Sequence, residues 1–190
     1  EIVLVFSNQT HAAGLDRARR AGIRAEAISH KGYPGGREAY DTAVSALIEE
    51  SGADLVVLAG YLRLVSESFV TRWKDKLINI HPSLLPSFKG LHVHQAALDA
   101  GVKFAGCTVH YVVPEVDSGP IIAQAVVPVL PGDDAGKLAQ RILRQEHRIY
   151  PQVIRWIAEG RVSVDAKGIV TVADAPQADF AEINPALEPG

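Results

Sequence analysis

Apolar and polar residues alternate along the chain in blocks that predict strands and helices in turn. Runs dominated by apolar residues at Glu1–Phe6, Leu55–Leu58 and Leu77–His81 have the length of buried strands. Between them, apolar residues recur at helical spacing over Arg37–Ser51, and Gly52 ends that helix. Strands that alternate with helices indicate an α/β fold with an open, mostly parallel, doubly wound sheet. The other elements predicted in this part of the chain are helices at Ala13–Ala21, Ser66–Lys74 and His94–Ala100 and a strand at Arg24–Ser29.

The second half of the chain predicts an antiparallel edge on that sheet. The strands Phe104–Val113 and Ile121–Val129 are joined by a loop too short for a helical crossover, so we expect them to pair antiparallel. In open α/β sheets, ligands bind beyond the carboxyl ends of the strands, which is where functional residues are expected. The remaining predicted elements are a long helix from Asp133 or Asp134 to about Gly160, kinked at Pro151, and short strands at Arg161–Val164 and Ile169–Val172.

The composition is that of a globular chain and excludes several classes of partner. A chain of 190 residues, 47% of them hydrophobic, suits one domain with its own core. The 19 basic residues are scattered among 22 acidic ones, giving a net charge of -3, so no nucleic-acid partner is expected. No apolar run is long enough to cross a bilayer, no signal-peptide pattern is present, and the single cysteine suits a reducing compartment. We therefore predict a cytoplasmic protein without a membrane partner.

The strand Leu77–His81 ends in two polar residues that suit acyl-transfer chemistry. Asn79 and His81 stand two positions apart, so their side chains share one face of the strand. An amide can donate to a developing oxyanion, and a neighbouring imidazole can move a proton or add positive charge. The alternative is a pair of polar strand-end residues facing water. The stiff loop that follows, His81–Pro86 with two prolines and two leucines, favours the functional interpretation.

Two carboxylates are candidates for the same site. Asp117 lies in the loop between the antiparallel strands, where an aspartate usually accepts hydrogen bonds from its own turn. Near His81 it would instead stabilise the charged imidazole and complete an acid/base relay. Glu146 lies in the apolar stripe of the long helix, between Ile142 and Ile149. A carboxylate there either has a partner or extends to water, because burying it alone is costly.

Three segments resemble the glycinamide ribonucleotide formyltransferases: Asn79–Pro86, Gly90–His94 and Val116–Ile122. The resemblance extends from Val3 to about Val172. It implies an enzyme of de novo purine synthesis that moves the formyl group of 10-formyltetrahydrofolate to the primary amine of glycinamide ribonucleotide. The transfer would pass through a tetrahedral intermediate and use no metal. Both partners would be small molecules.

The same resemblance assigns roles to individual positions. Asn79 would hold the oxyanion, His81 would assist it and the proton transfers, and Asp117 would tune His81 and relay protons through water. His110 would support this catalytic trio. The folate donor would lie along the backbone of Leu62, Arg63, Leu64 and Val65 and against the apolar side chains among them. Arg37 would lie near the tail of the folate and Asn79 at its formyl group. The ribonucleotide would contact Pro82, Ser83 and Glu146.

Other interpretations remain open at this stage. A formyltetrahydrofolate hydrolase would share the fold and the trio but carries His-His-Ser where this chain has His81–Ser83, and a methionyl-tRNA formyltransferase would add a nucleic-acid-binding domain. A silent folate-binding module would differ only in activity. The histidines could also be read as a zinc cluster, but no HExxH or CxxC spacing accompanies them. Cys107 stands among apolar strand residues, which indicates a core position.

One expected feature of that family has no counterpart in the sequence. The Gly-Ser-Asn loop that would bind the ribonucleotide phosphate is missing, and Pro34–Gly36 is the only glycine cluster near the front. The chain also contains no methionine and opens inside an apolar run, so we expect a strand, loop and helix of roughly 30 residues upstream. Removal of an initiator methionine is the alternative. Residues 1–190 would then be a single formyltransferase domain lacking its first strand, with a loose tail over about 174–190 and an oligomeric state left undetermined.

Overall fold

The structure is a computed structural model that describes residues 1–176. Those residues divide into two compact units, one made of Glu1–Val56 with Tyr61–Leu77 and the other of Val57–Gly60 with the chain from Ile78 onward. Most of the predicted tail, residues 177–190, lies outside the described residues.

The first unit contains one pair of strands and three helices. Strands β1 (Val5–Ser7) and β2 (Ala25–Ala27) pair in parallel, and helix α1 (Ala13–Arg20) connects them. Helices α2 (Gly36–Glu50) and α3 (Glu67–Arg72) pack against each other. Their shared core buries Tyr40, Val44, Ile48, Phe69, Val70 and Trp73.

The ends of these helices follow from their local chemistry. Gly22 and Gly52 come after α1 and α2 and have φ of +72° each, a backbone conformation that glycine adopts without strain. Ser66 precedes α3, and its hydroxyl accepts a hydrogen bond from Phe69 N at 3.3 Å. Glycine punctuation and serine capping therefore account for these boundaries in the sequence.

The second unit holds a four-stranded sheet in the order β3 (Val56–Leu58), β4 (Leu77–His81), β5 (Phe104–Tyr111) and β6 (Ile121–Pro128). Strand β5 pairs antiparallel with both of its neighbours, β4 and β6. Helix α5 (Ala135–Ala158) packs on β5 and β6, and helix α4 (Val93–Asp99) packs against α5. The hairpin of β7 (Val162–Val164) and β8 (Val170–Val172) follows. Its core contains Ala97, Ala105, Cys107, Val127, Leu138 and Ile142.

The predicted α/β fold with an antiparallel edge is confirmed. The strand β4 has the predicted bounds, and Asp134 caps α5 by accepting a hydrogen bond from Lys137 N at 2.8 Å. The predicted strand Glu1–Phe6 is shorter, because the parallel register runs only from Val5 to Ser7. The predicted helix of α5 continues through Pro151.

A tyrosine on α5 fixes the ends of two strands. The Tyr150 hydroxyl donates to Leu58 O at 2.7 Å and approaches Ile78 O at 3.3 Å. Burial raises the pKa of Tyr150, so the phenol stays a donor. The carboxyl end of β3 and the start of β4 are thereby tied to α5 next to the polar residues of β4.

Candidate functional site

The antiparallel register of β4 and β5 places the polar residues of both strands opposite each other. Asn79 pairs with His110, and His81 pairs with Thr108. Residues directly opposite in an antiparallel pair project to the same face. Both histidines are buried, His81 at 5% and His110 at 2% exposure. The side chains of Asn79, His81 and His110 therefore form one cluster, as the spacing of Asn79 and His81 predicted.

Both ring nitrogens of His81 face acceptors. Nε2 lies 2.9 Å from the carbonyl oxygen of Phe88, which can only accept, so this nitrogen carries a hydrogen. Nδ1 lies 3.5 Å from Oδ2 of Asp117. The ring of His81 therefore lies between a carbonyl acceptor and the carboxylate of Asp117.

His110 has the opposite pattern, one donor and one acceptor. Its Nδ1 donates to Tyr111 O at 2.9 Å, and its Nε2 lies 3.4 Å from Nδ2 of Asn79. Burial lowers the pKa of His110, although the Tyr111 carbonyl and Asp117 act in the other direction. The neutral ring therefore presents a lone pair to the Asn79 amide. One amide hydrogen of Asn79 is held in place, and the other remains available to a ligand.

Asp117 lies between the two histidines and does not bond to its own turn. Its Oδ1 is 3.7 Å from Nε2 of His110, and its Oδ2 accepts a hydrogen bond of 2.8 Å from the backbone N–H of Gly90, 27 residues away. The residue has a φ of 49°, in the left-handed region that side chains seldom adopt. A second bond joins the loop of Gly90 to the loop of Asp117: exposed Lys89 donates to Ser118 Oγ at 2.5 Å. The carboxylate of Asp117 lies 3.5 Å from His81 as well.

Gly119 is the position where the loop of Asp117 tolerates no side chain. A Cβ there would lie 1.9 Å from Tyr111 O, the carbonyl that orients His110. We expect Gly119→Ala to cost about 1–3 kcal/mol of stability, as overpacking typically does, and to reduce kcat by disturbing His110. Thermal unfolding and steady-state kinetics measure both effects.

The matched control is Gly14→Ala in helix α1, where a Cβ meets nothing within 4 Å. That change should be neutral or stabilise the protein by up to about 1 kcal/mol, because alanine favours helix. A Gly119→Ala protein with the stability and turnover of the Gly14→Ala protein would contradict the packing argument.

The proline-rich loop after β4 is fixed by two side chains that the sequence did not reveal. Thr108 Oγ1 donates to Ser83 O at 2.7 Å and accepts from Leu85 N at 3.0 Å. Gln124 Nε2 donates to Leu85 O at 2.9 Å. The one available signal was that Thr108 shares a strand face with His110. The Ser83 hydroxyl donates its hydrogen to Ser87 O at 2.7 Å, so it would meet a ligand only as an acceptor.

Glu146 lies half-buried on α5. Its carboxylate forms no hydrogen bond or ion pair with any residue of the described 1–176 segment, so the protein partner expected from its position is absent there. Burial raises the pKa of Glu146, while His147 and His81 oppose that shift. A half-buried carboxylate without a protein partner is suited to accept hydrogen bonds from an N–H or O–H of a ligand.

The predicted folate-binding stretch lies in the first unit. Leu62 is 83% and Leu64 59% exposed, while Arg37 is exposed at the start of α2. The Arg63 side chain bonds to Asp41 at 2.6 Å, so the predicted folate contact at this residue falls to its backbone groups. The assembly of this stretch, with Val65, and the catalytic trio into one site stays a prediction.

Two further sequence expectations concern metals and the cysteine. Within the described residues, no group of three or more His, Cys, Asp or Glu side chains is arranged to hold a metal ion. Cys107 is fully buried in the second core, and burial followed by the charge of Glu146 raises its pKa to about 12. It is a core residue, as predicted. Among residues 1–176, no helix is long and apolar enough to cross a membrane.

Comparison with known proteins identifies the class to which this fold and site belong. Residues 1–154 match the family model described as formyl transferase. The chain therefore belongs to the formyl transferase family.

Two relatives within the family differ in how much of their own length the chain covers. The chain is 46% identical over 160 residues to phosphoribosylglycinamide formyltransferase of Escherichia coli K12, covering 84% of this chain and 75% of that protein. It is 48% identical over 167 residues, 88% of this chain, to the trifunctional purine biosynthetic protein adenosine-3 of Bos taurus, but spans only 16% of that protein.

Solved structures agree with these relatives. Glycinamide ribonucleotide transformylase 1 from Symbiobacterium toebii superposes with a TM-score of 0.87 at 49% identity, covering 90% of this chain and 80% of that one. A formyltetrahydrofolate deformylase from Pseudomonas syringae pv. tomato superposes with a TM-score of 0.84, but at 32% identity and over 57% of its length.

Proposed function

We propose that this protein transfers the formyl group of 10-formyltetrahydrofolate to the primary amine of glycinamide ribonucleotide, a step of de novo purine synthesis. The observation that carries the proposal is the cluster of Asn79, His81, His110 and Asp117 at the carboxyl end of β4. The identity of 46% to a phosphoribosylglycinamide formyltransferase over most of both chains supports it. As proposed, the protein acts in the cytoplasm on two small molecules.

The proposed reaction forms one C–N bond and breaks another. The amine nitrogen of the ribonucleotide attacks the formyl carbon, and the formyl oxygen becomes an oxyanion. The free amide hydrogen of Asn79 and the cationic ring of His81 stabilise that charge. The attacking nitrogen then loses a proton, N10 of the folate gains one, and the bond from N10 to the formyl carbon breaks. The products are the formylated amine and tetrahydrofolate.

Asp117 acts in this scheme through charge. Its carboxylate lies 3.5 Å from His81 and stabilises the cationic ring while the oxyanion exists. Because Gly90 N and the loop geometry hold the carboxylate in place, little reorganisation is needed at the moment of reaction. Water next to Asp117 would complete the proton path between the two nitrogens.

The proposed donor site is the stretch Leu62–Val65 with Arg37. Its leucines are exposed, and its backbone groups make no backbone hydrogen bonds within the described chain. Apolar side chains beside available backbone donors and acceptors suit a flat heteroaromatic ring such as a pterin. For the acceptor, we propose contacts with Glu146 and with the backbone around Pro82 and Ser83.

The second candidate is hydrolysis of 10-formyltetrahydrofolate, favoured by the structural likeness to a deformylase. The two functions differ in what attacks the formyl carbon. A bound amine held at attack distance gains a large effective concentration over water. We expect slow formate release from the donor alone and, on adding glycinamide ribonucleotide, nearly all flux into formylated product. Formate release that is fast and indifferent to the acceptor would favour the hydrolase, and donor binding without either product would indicate a silent folate-binding module.

Glu146 provides a separate test of the acceptor site. We expect Glu146→Ala to raise the KM for glycinamide ribonucleotide by about tenfold, because a hydrogen bond to a charged group is lost. The affinity for the folate should change little. Steady-state kinetics with each substrate varied in turn measures both constants. Glu159→Ala is the matched control, since Glu159 ends the same helix and pairs with Arg161 at 3.1 Å. Equal constants in the two variants would remove Glu146 from the acceptor site.

A further inference from the structure

A buried carboxylate in the first unit contacts both ends of a short exposed segment. Asp41, on α2, is 2% exposed. Its Oδ1 accepts a hydrogen bond of 2.6 Å from Arg63 Nη1, and its Oδ2 accepts one of 2.6 Å from the backbone N–H of Ser66. The two contacts lie on either side of Leu64 and Val65.

The segment 61–65 has no regular structure to hold it. It belongs to no helix or strand, and none of its backbone groups forms a backbone hydrogen bond within residues 1–176. Two of its side chains, Leu62 and Leu64, are largely exposed, so packing contributes little there. Its position therefore depends on side-chain anchors, and Asp41 supplies two of them.

The anchor at Arg63 is itself fixed. Its guanidinium lies 4.4 Å from the centre of the Tyr40 ring, and the side chain is 16% exposed. Tyr40 is fully buried and donates its hydroxyl hydrogen to Ile28 O at 2.8 Å, so the ring has one position. A cation held between a carboxylate and an aromatic face has little freedom. Arg63 therefore holds the segment 61–65 at a fixed position relative to α2.

Stability alone is a weak reason for such a pair. A buried ion pair is costly to desolvate, and apolar residues of similar size often replace one without loss of stability. What the pair supplies here is a fixed geometry for backbone groups that make no backbone hydrogen bond with any described residue. Those backbone groups belong to the stretch proposed above to bind the folate donor.

We propose that Asp41 is a positioning residue for donor binding: it clamps Arg63 and Ser66 so that the backbone of 61–65 is preorganised for the pterin ring. This inference rests on the proposed function. A preorganised site binds more tightly because less ordering is needed on binding. The clamp should therefore affect donor affinity and leave acceptor binding and the chemical step unchanged.

The test compares two buried aspartates that each pair with an arginine, of which only Asp41 contacts the segment 61–65. Asp41→Asn keeps an oxygen for Ser66 N but removes the charge paired with Arg63. Asp133→Asn is the matched control, because Asp133 is 4% exposed, lies in the other unit and pairs with Arg141 at 2.6 Å and 2.9 Å. Each variant is characterised by thermal unfolding, by the KM for each substrate and kcat, and by calorimetric titration with tetrahydrofolate.

Both variants should unfold at lower temperature than the wild type. Only Asp41→Asn should raise the KM for 10-formyltetrahydrofolate and the Kd for tetrahydrofolate, by about tenfold, with kcat at saturation and the KM for the acceptor within about twofold of wild type. If Asp41→Asn loses stability like Asp133→Asn but keeps the donor constants, the carboxylate is only structural and the proposal is overturned.

A milder variant keeps the proposal testable if Asp41→Asn does not fold. Arg63→Lys retains a charge opposite Asp41 but loses the planar guanidinium and its stacking on Tyr40. It should raise the donor constants by about threefold, and unchanged constants would again overturn the clamp. A wild-type protein that binds tetrahydrofolate but formylates no glycinamide ribonucleotide would contradict the proposed function alone, since the clamp can still be tested by titration.

Discussion

Replacement of Asn79 by Ala is expected to lower kcat by about 10²–10³-fold, the usual cost of losing one oxyanion donor. The amide is oriented by His110, whose Nδ1 is committed to Tyr111 O, so one N–H of Asn79 points to a fixed place. That donor matters only when the formyl oxygen gains charge. Binding of tetrahydrofolate should therefore change little, and Asn79→Asp, which keeps the shape but loses the donor, should be equally slow.

Single-turnover kinetics and calorimetric titration measure the two effects. Gln95→Ala is the control, because within residues 1–176 this exposed amide on α4 bonds only to Asp99, at 2.7 Å. Near-normal turnover by Asn79→Ala would show that the oxyanion is stabilised elsewhere. Weak folate binding with normal turnover would make Asn79 a donor-binding residue only.

Replacement of His81 by Gln is expected to lower kcat by about 10²–10⁴-fold, the range of general acid/base contributions. Asp117→Asn should cost about 10²-fold by itself. In a protein that already carries His81→Gln, however, Asp117→Asn should cost little more. The reason is that the carboxylate, 3.5 Å from Nδ1 of His81, is proposed to act through the charge on that ring. Groups that act as one unit show non-additive losses.

A double-mutant cycle on kcat measures this coupling. Losses that multiply in the double variant would mean that Asp117 has a role independent of His81. Thermal unfolding of each variant checks the fold, because Asp117 also accepts the hydrogen bond from Gly90 N.

The sequence predicted those parts of the fold and site that depend on local pattern. The period-two spacing of Asn79 and His81 on a strand is a local property, and the observed register places both beside His110. The glycines that end α1 and α2 and the serine before α3 act within one turn, so the helix ends were predictable to within a residue or two.

Contacts between distant segments could not be predicted in the same way. The bond from Gly90 N to Asp117 and the bonds from Asp41 to Arg63 and Ser66 join residues 22 to 27 positions apart. In the sequence, each of these residues has the pattern of an ordinary loop or helix residue. Arg63 illustrates the limit, because its place in the family motif pointed to a backbone contact with the folate but gave no sign that its side chain pairs with Asp41.

The hydrogen bonds of His110 also limit how this position can evolve. The ring gives a hydrogen to Tyr111 O on one side and takes one from Asn79 on the other, while being almost sealed from water. A replacement must offer one donor and one acceptor in that order, or leave a buried polar group unsatisfied. Glutamine is the one other uncharged side chain of similar length with that pair of groups. We therefore expect only histidine or glutamine to be tolerated at position 110, whatever surface residues change around it.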